Sequence, residues 1–430
     1  MKKTKQEKTA DTLILLMLAT IMVIIPATHY YCQYHGLYFS YIAHTIYNCT
    51  VLCVAVVVYS LYVYRKKIKF SQYEGIFLAI CVFSVLSVYN AIDPQKAIWG
   101  ESGRNEGILM LLCYYLFFYT ARLLTDEKKR SAAIYIFVVV LTLHALYGLA
   151  QFYSINIFIP VYDHYYYAIS GVAGNPNFMG SLMVMSCAAC TGLMIYTEKL
   201  WAKILFMCLL AINTATLIFT KTMSAYVGLT AVIFTVFVIW LNHLRKQKGT
   251  KTAIVVLTML AVSFVICVFI IDKLTYGFIS AELMGIYKQF KDGINWETLA
   301  SGRFLVWYNI FKMLPQYLLF GVGIDGLEQP YFERYGLLFG SYLDKAHNEL
   351  LQVLITVGLP VFLLYIAVYV FVIKDLGKRI KKNSNKPVDF ALMFIIIGYL
   401  VQAMFNISII DIAPYFWIVL GLSATPLLQD

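Results

Sequence analysis

Long apolar runs and short polar connectors alternate along the whole chain. A hydrocarbon core about 30 Å thick needs ~20 apolar residues per helix. Runs of that kind occur near 11–28, 40–63, 74–92, 105–122, 131–153, 174–196, 201–219, 222–242, 251–271, 347–373, 388–405 and 408–428. They predict an all-α polytopic membrane protein with about 12 transmembrane helices. The first run is long and poorly followed by small residues at a cleavage position, so it reads as an anchoring helix rather than a signal peptide. Residues 1–271 carry predicted helices one to nine, and 347–430 carry ten to twelve, within one membrane domain. Between them, 272–346 is too long for a simple connector and is expected to form a large extracytoplasmic loop. It is not featureless. Leu283, Ile286, Tyr287 and Phe290 recur at helical spacing in 279–291, and Phe304, Trp307, Tyr308 and Phe311 do so in 303–320. Both stretches predict short amphipathic helices lying at the membrane surface.

Composition agrees with this class. Of 430 residues, 61% are hydrophobic and 13% charged, against ~45–50% and ~25% in soluble domains. The net charge of +11 matters less than its placement. The segments 2–8, 65–69, 122–130, 199–203, 245–251 and 374–386 hold 24 of the 34 Lys and Arg residues. These are every second connector, which is the positive-inside pattern. It puts both termini in the cytoplasm. No basic face exists apart from these connectors, so nucleic acid is not an expected partner. The other ten basic residues are Lys96, Arg104, Lys221, Lys273, Lys288, Lys291, Arg303, Lys312, Arg334 and Lys345. All fall on the outer side or at its boundary, where the bias disfavours them, and each is a candidate for a specific role.

Several function classes drop out. Most of the nine cysteines lie in apolar runs and none in 272–346, which is not a disulfide framework. Cys187-Ala-Ala-Cys190 reads as helix packing. No glycine loop followed by Lys-Ser or Lys-Thr is present to cradle a nucleotide phosphate. No HExxH or Cys/His cluster suggests zinc, Asp163-His164 being the nearest approach to a metal pair, and no cofactor is expected. The apolar runs are poor in the ionisable groups of a proton-coupled transporter. His44 and His144 are the main ones, read as hydrogen-bonded core residues.

The remaining polar features cluster on the outer side. "DKAHNELLQ" (344–352) opens the tenth apolar run. Asp344 or Asn348 can cap a helix there. His347 is not a preferred cap, but it titrates near neutrality and suits a general base. Two readings stand together: a polar helix start, and a catalytic base at a membrane surface. Arg104 lies in "WGESGRNEGILML", Arg303 in "SGRFLVW" and Lys221 in a very short outer link. Such charges either snorkel to the interface or work there. Two guanidinium forks and an ammonium converging on one pocket would suit a pyrophosphate. In "GVAGNPNFMG" (171–180), Asn175-Pro176-Asn177 reads as a turn before a helix. Asn175 and Asn177 are also candidates for sugar hydroxyls, as are Asn348 and Trp307 for sugar or acceptor.

Taken together these pieces resemble the O-antigen ligase and O-antigen polymerase superfamily of bacterial membrane glycosyltransferases. The matching stretches are "GRNEGIL" (103–109), "GNPNFMGSLM" (174–183), "TKTMSAYVGL" (220–229), "SGRFLVWYNIFKMLPQYLLFGVGIDG" (301–326) and "AHNELLQVLITVGLPVFLL" (346–364). The last two, in that order, are the most specific. The resemblance runs from about residue 100 to the end. It implies metal-independent transfer of a glycan from undecaprenyl pyrophosphate to an acceptor hydroxyl, outside the bacterial cytoplasmic membrane. The acceptor is a lipid core or another surface molecule in ligases, and another lipid-linked repeat unit in polymerases; both remain open. By the resemblance His347 is the base, and Arg104 and Arg303 bind the leaving pyrophosphate. One departure stands out. Family members commonly have Ser-Arg where this chain has Ser224-Ala225, and Lys221, one helical turn earlier, is the candidate replacement. A flippase or transporter of lipid-linked glycans is the alternative of a different class. It explains the helices but does not need a long loop ending in histidine. A peptidoglycan-type polymerase would carry a loop carboxylate pattern that is not seen.

Overall fold

The computed structural model describes residues 3–35, 40–67, 70–153, 168–248, 265–292, 301–338, 340–382 and 386–424. The apolar runs fold as helices: α1 (Lys5–His35), α2 (Ser40–Tyr64), α3 (Gln72–Tyr89), a short α4 (Pro94–Trp99), α5 (Ile108–Arg122), α6 (Glu127–Phe152), α7 (Pro176–Tyr196), α8 (Leu200–Phe219) and α9 (Met223–Lys248). The predicted run 251–271 falls mostly outside the described residues, though 265–274 is helical. The outer segment carries α10 (Phe278–Asp292), α11 (Arg303–Tyr317) and α12 (Glu328–Tyr335), and the chain closes with α13 (Glu349–Lys382), α14 (Pro387–Ala403) and α15 (Ala413–Ser423). Among the described residues, eight helices are long and apolar enough to cross a membrane, namely α1, α2, α3, α6, α7, α8, α9 and α13, while α5, α14 and α15 are shorter apolar helices. Among the described residues there is no strand, only an isolated bridge between Leu338 and Ser341.

The helix ends separate into two chemistries. At one end, ion pairs tie the basic connectors down: Lys67 to Glu7, Arg122 to Glu74, Arg130 and Arg379 to Asp389, and Lys386 to Glu127. At the other end, polar loops interlock. Asn406 donates to the Asn177 carbonyl and to Ser181 Oγ, and Asp411 meets His29 Nδ1 at 2.8 Å. These contacts hold 404–412 in turns, so α15 begins at Ala413 rather than near 408 as the apolar run suggests. Between the two ends the helices pack through small residues, which let backbones approach closely. Gly192 of α7 lies against the Ala391 backbone of α14, and Gly421 of α15 against Phe118 of α5.

Two histidine expectations need correcting. His44 is exposed on α2 and touches Tyr47 through its ring, so it is not a core residue. His144 is buried, but neither ring nitrogen has a hydrogen-bond partner among the described residues.

The long α13 is broken where it matters. Gly358 adopts φ +82°, interrupting the helix two residues before Pro360. A break frees backbone groups that must be paired elsewhere. The turn Gly321-Val322-Gly323 supplies them. Val322 N–H donates to the Ile355 carbonyl (2.9 Å) and Gly323 N–H to Thr356 (3.0 Å), while Leu359 N–H donates to Leu318 (2.7 Å). Ser87 Oγ of α3 also donates to the Thr356 carbonyl. A Cβ at Gly358 would collide with the Leu319 carbonyl, whereas Gly377 further along has nothing near it. Gly358→Ala is therefore expected to lower the unfolding temperature of the detergent-solubilised protein, combining a positive-φ backbone penalty of ~1–3 kcal/mol with the collision. Gly377→Ala, an ordinary helical site, is expected to leave it unchanged or raise it slightly.

Candidate active site

The later part of segment 272–346 packs with the start of α13. Val306, Ile310 and Met313 of α11, Leu327 and Tyr331 beside and on α12, and Leu351 and Ile355 of α13 share a small core with Leu343 and Ala346. Asn309 Nδ2 donates to Tyr331 Oη (3.0 Å) and Tyr335 Oη to the Asn309 carbonyl (3.1 Å), locking α11 to α12. α11 lies where its aromatic periodicity predicts. Yet the face that packs on the protein is the aliphatic one, and Phe304, Tyr308 and Phe311 are left exposed.

Three segments distant in sequence meet above the start of α13, and one buried cation joins them. Lys345 Nζ lies 2.6 Å from Asp325 Oδ1 and 2.9 Å from Glu106 Oε2. Asp325 Oδ2 also accepts the Glu101 backbone N–H at 2.7 Å. One ammonium faces two carboxylates, so their environments diverge. Burial alone would raise Asp325, but Lys345 and the backbone donors hold it below the usual carboxylate range. Burial pushes Glu106 up to about 7 against the pull of Lys345. For Lys345 burial works towards the neutral amine, and its two carboxylates override it and raise its pKa.

His347 follows directly. The peptide ahead of it is gripped on both sides: Ala346 N–H donates to Gln352 Oε1 (2.7 Å), and Trp307 Nε1 donates to the Ala346 carbonyl (2.9 Å). Asn348 Oδ1 accepts the Leu351 N–H (3.0 Å) and so caps the helix, while Glu349 Oε2 accepts Ser408 N–H. His347 itself has φ +51°, and no hydrogen bond to its ring occurs among the described residues. Asn105, Ser301 and Asp325 share its left-handed backbone. Residues held this way are uncommon and tend to mark sites where geometry is imposed.

The structure brings three predicted residues together. The charges that act on the His347 imidazole are Arg303, Asp344 and Arg104; burial lowers its pKa most, Arg303 and Arg104 push the same way, and Asp344 opposes them. Arg303 opens α11, directly after two left-handed residues, Ser301 and Gly302. A helix start favours anions, because its N–H groups are unpaired and its dipole end is positive. A guanidinium there is electrostatically out of place until an anion joins it. Burial depresses its pKa, opposed by Glu282, and an arginine still stays charged. Arg104 ends a tight turn, its N–H bonded to the Glu101 carbonyl, and its Nε reaches Asp344 Oδ2 at 2.7 Å.

Other candidates have different placements. Trp307 and Asn348 hold the backbone on either side of His347. Asn175 Oδ1 caps α7 by accepting the Asn177 N–H. The Asn177 carbonyl is taken by Asn406 and Ser181. Lys221 stands in the α8–α9 turn, with φ +48° and its ammonium 5.6 Å from the Tyr276 ring centroid, and it is not among the charges acting on His347. Ala225 is fully buried against Gly180, which leaves no room for an arginine. Asp163-His164 lies outside the described residues. Within them, no group of three or more His, Cys, Asp or Glu side chains is arranged to hold a metal ion.

Sequence reasoning missed the acidic partners. Glu106, Asp325 and Glu349 line a cavity of about 90 Å³ with Lys345, Gln352 and Ser408. The available signal was Lys345, a basic residue on the side where the charge bias disfavours one. Removing one member of a buried pair leaves the others uncompensated, at a cost of about 3–5 kcal/mol. Lys345→Met is accordingly expected to unfold at markedly lower temperature than the wild type in detergent.

Comparison with known proteins adds an independent line. No curated protein matches the chain. The O-antigen ligase family model matches residues 205–366, a span that contains Lys221, Arg303, Trp307, His347 and Asn348 but not Arg104, Asn175 or Asn177. The match ends inside α13, so it takes in the whole outer segment and the histidine that closes it. Over residues 205–366 the chain is thus similar to the O-antigen ligase family.

Proposed function

We propose that the protein is an O-antigen ligase-like glycosyltransferase that moves a glycan from undecaprenyl pyrophosphate to an acceptor hydroxyl, without a metal, at the outer face of the bacterial cytoplasmic membrane. The observation that carries this reading is that Arg104 bonds Asp344, three residues before His347, while Trp307, one turn after Arg303, bonds the Ala346 carbonyl beside it. Displacement at an anomeric carbon needs a base on the attacking side and charge stabilisation on the leaving side. The acceptor oxygen forms the new bond to the anomeric carbon, its proton passes to His347, and the bond to the pyrophosphate oxygen breaks. The leaving pyrophosphate keeps that electron pair and is held by the guanidinium groups of Arg104 and Arg303.

The wider arrangement belongs to the same proposal: about 12 transmembrane helices, both termini in the cytoplasm, 272–346 outside, and Lys221 standing in for the arginine expected near Ala225. Asn175, Asn177, Asn348 and Trp307 are its candidate sugar and acceptor contacts. The partners are an undecaprenyl-pyrophosphate-linked donor, a glycan or lipid acceptor, and membrane lipids.

Two measurements test it. In cells carrying His347→Ala, transfer should fall by about 10²–10⁴-fold, the usual worth of a general base. Long finished chains should then accumulate on the lipid carrier. Accumulation of single repeat units would instead identify a polymerase, and accumulation of neither on the outer face would return the flippase to contention. The second measurement is the pH dependence of transfer by purified protein. The base form of His347 is needed, and its pKa lies below the usual 6.5, so activity should hold as pH falls through 6.5 and decline below it. Arg303→Gln removes a positive charge acting on the ring, so the acid limb should move to higher pH. Donor binding should weaken ~10–100-fold, the worth of a hydrogen bond to a charged group.

A further inference from the structure

Adjacent residues of one segment make ion pairs of opposite character. Lys345 and Asp325 are sealed, with side chains 5% and 1% exposed. Asp344 and Arg104 are each 29% exposed, so an incoming anion can reach them. The Lys345 clamp and the grip of Trp307 and Gln352 on Ala346 fix the backbone around Asp344, leaving its side chain as the adjustable part. His347 lies three residues on, and Asp344 is the one carboxylate among the charges that act on it. A base normally needs a third group to orient it, and no described group bonds this ring. Arg104, meanwhile, commits its Nε to Asp344 at 2.7 Å, so a phosphate that engages the Nε side of the guanidinium fork must displace that carboxylate.

We propose that Asp344 is a positioning residue that changes partner: it holds Arg104 while the donor site is empty, and turns to the His347 imidazole when a pyrophosphate group takes Arg104. This rests on the reading of Arg104 as a pyrophosphate ligand and His347 as the base. The donor's own charge would thus complete the base, and the ring would be oriented only when there is a leaving group to expel. Three charged groups face the imidazole in this scheme: Arg303 at the start of α11, Arg104 ahead of α5, and Asp344 on its own segment.

The test compares wild type, Asp344→Asn and Asp344→Glu in detergent, measuring inorganic pyrophosphate binding by calorimetry and glycan transfer across pH. The swap predicts that Asp344→Asn binds pyrophosphate several-fold more tightly, because its competitor is gone. It also predicts transfer at least tenfold slower, with the acid limb displaced to lower pH, and substantial recovery of both rate and profile in Asp344→Glu. If Asp344 merely held Arg104 in place, Asp344→Asn would bind pyrophosphate more weakly, and that result overturns the swap while leaving the donor site intact. Unchanged transfer by Asp344→Asn also overturns it. Failure of the wild type to bind pyrophosphate, or equal binding by Arg104→Gln, would instead overturn the donor-site reading on which the swap rests.

Discussion

The buried ammonium of Lys345 is the contact on which the end of the molecule around His347 depends. It joins the turn ahead of α5, the glycine turn after α11, and the segment that enters α13. Each of these carries or positions a charged group of the candidate site. A buried cation between two carboxylates is weak evidence for stability, since desolvation offsets much of the attraction. Its value here is geometric. Hydrophobic packing alone would let three loops slide, whereas a cation with two anionic partners fixes their relative positions to within hydrogen-bond length.

The helix break at Gly358 serves the same end. An unbroken α13 would pair the Ile355 carbonyl with the Leu359 N–H and leave only the Thr356 carbonyl, opposite Pro360, for the glycine turn. Breaking it leaves backbone acceptors at both Ile355 and Thr356, and the turn that carries Asp325 docks there through Val322 and Gly323. The irregular backbone is thus the socket that receives one arm of the Lys345 clamp.

The fold was legible where period and length decide it. The apolar runs became helices because a helix is the one way to satisfy a backbone within a long apolar stretch. Their ends were less legible. The run near 408 begins with residues that could continue a helix, and contacts from α1, α7 and α13 keep 404–412 out of one. The cations of the candidate site stood out in the sequence, since Arg104 and Arg303 fall where the charge bias disfavours them. Its acids did not. Glu106, Asp325 and Asp344 sit in polar turns, where carboxylates are ordinary, and their roles come from partners more than two hundred positions away or in another loop. Asn348 and Trp307 stood out as candidates for sugar or acceptor, yet their visible work is to hold backbone beside His347.

The separation of Glu106 and Lys345 by 239 positions bears on how the protein is made. The chain is synthesised from its N-terminus, and domains assemble in that order. Glu106 therefore emerges long before the cation that neutralises it. A carboxylate buried without a partner is costly, so the turn ahead of α5 has reason to stay in water while the intervening helices are inserted. Only when α13 arrives can that turn be drawn in. The end of the molecule that holds His347 is then the last part to close during biogenesis, and a chain cut short before residue 345 would carry α1 to α12 without the clamp.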